Sequence, residues 1–120
     1  MYIHFNPNPS GRSVGDCVIR GISKLTGDSW ETVYACIVSH GLALYDMPSS
    51  NAVWGDYLKQ LGYQRYTCPS CGTVEDFARE HPKGAYLACT GSHVVAVVDG
   101  DYYDAWDSGY ETVTYFFKEG

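Results

Sequence analysis

A cysteine thiol attacks a carbonyl carbon only as its thiolate, and a helix N-terminus and a neighbouring imidazolium are the two readiest ways to lower its pKa. Cys17 satisfies the first condition by position, because it follows Asp16, a good capping residue, and opens a run of helical periodicity. The second condition needs a histidine from elsewhere. Of His4, His40, His81 and His93, only His93 opens a strand beside small residues, Gly91 and Ser92, where a substrate can enter. A base of this kind also needs a third group to orient its ring. With a short turn at Asp99–Asp101, the position facing His93 falls between Trp106 and Ser108, which makes Asp107 the expected orienting carboxylate. Cross-strand neighbours sit about 5 Å apart, whereas Asp104 would lie roughly 10 Å along the strand and is expected to be a strand-surface carboxylate. The chemistry such a set performs is cleavage of an amide through an acyl-thioester on Cys17, with no metal or organic cofactor.

The elements that must position these residues are legible as a change of period. Tyr2–Gly15 is rich in Asn, Pro, Gly and Ser and reads as a shaped loop after a short strand at Tyr2–Phe5. From Asp16, Val18, Ile19, Ile22 and Leu25 recur at helical spacing until Gly27. A second helix is expected from Ser29 to His40 with Gly41 as its stop, a third from Ser50 to Leu61 before Gly62, and a short fourth from Val74 to Glu80 capped by Thr73. Beyond Pro82 the segments Ala85–Thr90, His93–Val98, Tyr102–Asp107 and Thr112–Phe117 are rich in β-branched and aromatic residues and should form an antiparallel meander. Helices first and strands second predict an α+β fold, with N-terminal helices packed on one face or edge of a C-terminal antiparallel sheet.

The blocks Gly15-Asp16-Cys17, Gly91-Ser92-His93-Val94-Val95-Ala96-Val97-Val98 and Trp106-Asp107-Ser108-Gly109, in this order, resemble the papain-like cysteine peptidase superfamily, particularly its compact C39-type bacterial and phage members. The resemblance implies a papain-like domain over residues 1–120, with Cys17 as nucleophile, His93 as proton shuttle and Asp107 as the holder of His93. Where papain-like enzymes carry an oxyanion-hole glutamine, this chain has Gly11. Asn8 or Asn6, reaching back from the loop, are the expected substitutes, with the Cys17 backbone N–H as second donor. Arg20, one turn after Cys17, is expected either to favour the thiolate, to grip a substrate carboxylate or to form a surface ion pair. Trp106 is expected in the core, as a shield over the aspartate–histidine bond, or as a substrate-binding residue.

Composition narrows the partners. A formal charge of −6 and a pI near 4.9 work against nucleic-acid binding, which needs a basic surface to neutralise phosphates. No apolar run is long enough to span a bilayer and Met1–Gly15 lacks the features of a signal peptide, so a cytoplasmic protein with a protein or peptide substrate is expected. The five cysteines are then expected to be mostly reduced. Cys36 and Cys89 read as packing residues. Cys68-Pro-Ser-Cys71 is open to three readings: an ordinary turn, half of a metal site, or a reversible disulfide. Other outcomes of the same residues are acyl transfer to an amine, as in transglutaminase-like relatives, cell-wall amidase activity, and a non-catalytic interaction protein such as a phage-encoded antagonist of a host factor.

Overall fold

A computed structural model describes residues 1–120. The elements follow in the order β1 (Tyr2–His4), α1 (Cys17–Thr26), α2 (Trp30–Leu44), α3 (Asn51–Gln60), β2 (Tyr63–Thr67), α4 (Val74–Glu80), β3 (Ala85–Cys89), β4 (Val94–Val98), β5 (Asp101–Asp104) and β6 (Tyr115–Glu119). This is an α+β arrangement of four helices and one six-stranded mixed sheet, ordered β1-β5-β4-β3-β6-β2.

The expected meander holds for β3, β4 and β5. It fails for β6, which pairs with the other edge of β3, while the unforeseen β2 extends the sheet beyond it. The reason lies in the connection after β5. It leaves the sheet and is pinned over the start of α4, where Glu75 and Val74 donate their N–H groups to Gly109 O and Glu111 O and Val113 donates to Gly72 O. Strand β2 carries one buried residue followed by four exposed ones. It therefore lacks the alternation that marks a strand in a sequence, and only pairing with β6 creates it. The other edge, β1, runs parallel to β5. The sheet is consequently mixed and draws strands from both ends of the chain.

The helices lie on both faces, not one. Leu87, Cys89, Val94 and Phe117 pack with Ile22, Val33, Val53 and Leu58 of α1, α2 and α3. The alternating residues Ala88, Val95 and Val97 face Val74, Phe77 and Ala78 of α4. Helix α1 lies hard against the sheet because residue 21 is glycine: a Cβ there would stand 2.6 Å from Leu87 Cδ1. Gly27, in the left-handed region at φ 77°, closes α1 as expected. Gly41 does not stop α2. The helix runs one turn further, and the chain folds back so tightly that a Cβ at residue 41 would meet Asp46 O at 2.9 Å. Thr73 caps α4 with Asp76 returning the bond, a reciprocal capping box. No helix is long and apolar enough to cross a membrane.

Candidate active site

Cys17 is the first residue of α1, and Asp16 occupies the cap position without capping. Its carboxylate is engaged elsewhere: Oδ1 accepts from Arg20 Nη1 at 2.8 Å and Oδ2 from Trp30 Nε1 at 2.8 Å. The N–H groups of Cys17, Val18 and Ile19 thus keep no intrahelical or capping acceptor and retain the positive end of the helix dipole. All three residues line a groove of about 370 Å³, whose other walls come from α2, the start of α3 and the Thr90–Val94 mouth of the β3–β4 hairpin.

His93 stands at that mouth, its carbonyl held by the Thr90 N–H at 2.8 Å and the Thr90 hydroxyl at 3.2 Å. Its Nε2 lies 2.7 Å from Asp104 Oδ2, which leaves Nδ1 for the neighbouring Cys17 thiol, whose pKa the imidazole lowers. The ring is 8% exposed and covered by Trp106, centroid to centroid 4.9 Å. Trp106 is therefore a cover over His93, and it forms no wall of the groove where a substrate-binding role had been expected.

The orienting carboxylate is Asp104, not Asp107. Strand β5 pairs Asp101, Tyr102 and Tyr103 with Val98, Val97 and Ala96, so Asp104 follows opposite Val95, one diagonal step from His93. Diagonal neighbours are about 7–8 Å apart, a span that an aspartate and a histidine side chain bridge together. The sheet ends at Asp104, and the position that should have faced His93 has left it. Asp107 is exposed and bound to the Tyr102 hydroxyl at 2.7 Å and the Gly109 N–H at 3.1 Å. Asp104 is fully buried, and besides His93 it accepts from Ser108 Oγ, from Ala105 N at 2.8 Å and from Arg20 Nη2 at 2.9 Å.

Arg20 neither sits on the surface nor reaches a substrate. It is 4% exposed, and its guanidinium joins Asp16 to Asp104. A continuous polar chain thus runs through the interior from Trp30 to Asp16, Arg20, Asp104, His93 and Cys17. Each buried charge has an opposite partner, the condition on which burial of charge is tolerable.

The titration of the pair follows from these contacts. Burial works to raise the Cys17 thiol, but hydrogen bonds with His93 and the Val94 N–H and the charges of His93 and Arg20 outweigh it, and the pKa falls below its ordinary 9.0. Burial likewise works to lower His93, but the bond to Asp104 and then that to Cys17 prevail and carry it up to about 9. Asp104 is held below the usual carboxylate range against its own burial, chiefly by His93 and Ser108. Both shifts favour the thiolate–imidazolium form of the pair.

Asn6 and Asn8 do not reach this groove. The Asn6 amide faces Gly11 O and Arg12 O, its Oδ1 takes the Asn8 N–H, and Asn8 Oδ1 takes the N–H and hydroxyl of Ser10. Both asparagines are consumed in shaping their own loop, as short polar side chains in turns commonly are. The donors that do face the groove are backbone N–H groups of the first turn of α1. The Cys17 N–H among them is the expected second donor, and those of Val18 and Ile19 are left uncapped because Asp16 is bound to Arg20 and Trp30.

Cys68 and Cys71 are joined as a disulfide, which takes both thiolates out of the metal-ligand reading. Cys89 is buried, and burial pushes its thiol well above the ordinary value, while Cys36 packs partly buried against the same core. Comparison with known families, curated proteins and solved structures finds no match to this chain in any of the three.

Proposed function

We propose that this chain is a papain-like thiol hydrolase that cleaves a peptide or isopeptide bond, with Cys17 as nucleophile, His93 as general acid and base and Asp104 as the group that orients His93. The observation that carries this reading is the buried line Cys17–His93–Asp104, in which the thiol is shifted down and the imidazole up. The thiolate attacks the carbonyl carbon and the C–S bond forms. The electron pair moves onto the oxygen, within reach of first-turn N–H groups of α1. His93 gives its Nδ1 proton to the leaving amine, the C–N bond breaks and the acyl-thioester remains. Water then attacks the acyl carbon, His93 takes its proton, the C–S bond breaks, and the carboxylic acid leaves with Cys17 returned as thiolate beside protonated His93. An amine in place of water would give acyl transfer by the same steps.

Iodoacetamide labelling followed by peptide mapping tests this directly: Cys17 should be alkylated faster than Cys36 or Cys89 at neutral pH. Equal rates at Cys17 and Cys36 would sink the activated thiol, and with it the hydrolase.

A further inference from the structure

An apolar stripe leaves the groove along the outer side of α2. Tyr34, Val38 and Leu42 stand at i, i+4 and i+8, one side of the helix, and are 50%, 40% and 74% exposed. Tyr34 and Val38 also line the groove that holds Cys17. The stripe therefore starts at a wall of that groove and runs about 12 Å along the helix axis. It continues over Tyr45 and Met47, 94% and 67% exposed, and Met47 adjoins Pro48, another wall of the groove. Trp30 stacks on Tyr34 at 5.1 Å and stiffens its near end.

The formal charge carried by this stretch of the chain has one sign. Between Leu25 and Leu58 the chain carries Asp28, Glu31, Asp46 and Asp56 and no lysine or arginine. Glu31 is exposed three residues before Tyr34, and Asp46 lies between Tyr45 and Met47, so a carboxylate stands at each end of the stripe. An apolar strip ending in carboxylates is complementary to a polypeptide segment that is apolar and basic. A second copy of the chain would set the same carboxylates against each other, and an anionic lipid surface would be repelled.

We propose that the α2 stripe is the docking surface for the substrate, a basic and apolar polypeptide segment whose apolar side chains seat on Tyr34, Val38 and Leu42 and lead the scissile bond to Cys17. The proposal rests on the reading of Cys17 as nucleophile, and its test is separable from that reading. The probe is a short fluorescein-labelled Leu/Lys peptide, with a Leu/Glu peptide of the same length as its counterpart, followed by anisotropy on Cys17→Ala protein, which needs no turnover. The Leu/Lys peptide should bind at least about tenfold more tightly than the Leu/Glu peptide. Leu42→Glu, Tyr45→Asp or Glu31→Lys with Asp46→Lys should each weaken it about tenfold, and the remote Glu119→Lys less than about twofold. Equal binding of the two peptides, or equal losses at Glu119→Lys and at the stripe, would overturn the docking surface. So would sedimentation showing a dimer that Leu42→Glu dissociates, or binding to phosphatidylserine vesicles that displaces the peptide. In otherwise native protein, p-nitrophenyl acetate hydrolysis reads the nucleophile alone and should be unchanged by the remote Glu119→Lys. Absence of that hydrolysis together with a slow Cys17 would fault the nucleophile and leave the binding result standing.

Discussion

At the scale of single residues, the site is a matter of which proton sits where. Cys17→Ala should abolish peptide turnover while changing stability little, since the thiol is only partly buried at a groove. His93→Ala should cost about a thousandfold or more, and the double variant little beyond either, because the two act as a unit. Asp104→Asn should lower kcat/KM by about a hundredfold or more, whereas Asp107→Asn, an exposed group bound only to Tyr102 and Gly109, should change it less than about twofold. The pH profile should be a bell. Activity rises as pH passes the lowered pKa of Cys17 and the thiolate forms, and it falls as pH passes about 9 and His93 loses the proton it must donate. Because the Asp104 carboxylate stabilises the charged imidazole, Asp104→Asn should move the alkaline limb to lower pH. An unmoved limb in kcat/KM measurements would show that Asp104 does not hold His93.

At the scale of elements, α1 is both the carrier of Cys17 and the source of Arg20, the central charge between Asp16 and Asp104. Arg20→Met would leave two buried carboxylates facing an apolar side chain, so unfolding free energy should fall by about 3–5 kcal/mol, measured by denaturant titration. Thermal melting should drop by roughly 10–20 °C. Gly21 sets how closely this helix approaches Leu87 of β3. Gly21→Ala should cost about 1–3 kcal/mol through overpacking and should also slow alkylation of Cys17, because a lifted helix separates the thiol from His93. Alkylation at the native rate in this variant would mean that the sheet, and not the helix, yields.

At the scale of the whole molecule, the sheet divides the protein into two cores with different tasks. The α1–α3 side holds the groove, and the α4 side anchors the connection after β5 that brings Trp106 over His93 and Ser108 to Asp104. The Cys68–Cys71 disulfide lies between β2 and α4 and closes a loop of only a few residues. Such a loop restricts the unfolded chain little, so reduction by dithiothreitol should cost at most about 2 kcal/mol in a melting or denaturant experiment. Turnover under the same conditions should be preserved, since neither cysteine borders the groove.

What the sequence by itself determined were the local features: the helical periods, the strand run at Val94–Val98, the Thr73 cap and the placing of Cys17 at a helix start, all set by side chains within a few residues of one another. What only the tertiary structure decided were partners remote along the chain. The choice of Asp104 over Asp107 hung on where β5 leaves the sheet, which the strand pattern does not encode. Arg20 was open to three roles, aid to the thiolate, grip on a substrate carboxylate or surface ion pair, because nothing near it in sequence announces that Asp104 will come to lie against it. Asp16 looked like a cap because Trp30 and Arg20, which claim its oxygens, compete with the helix only once α1 and α2 are packed. Strand β2 and the crossover of β6 exist through pairing alone, and pairing is a property of two segments brought together, not of either one.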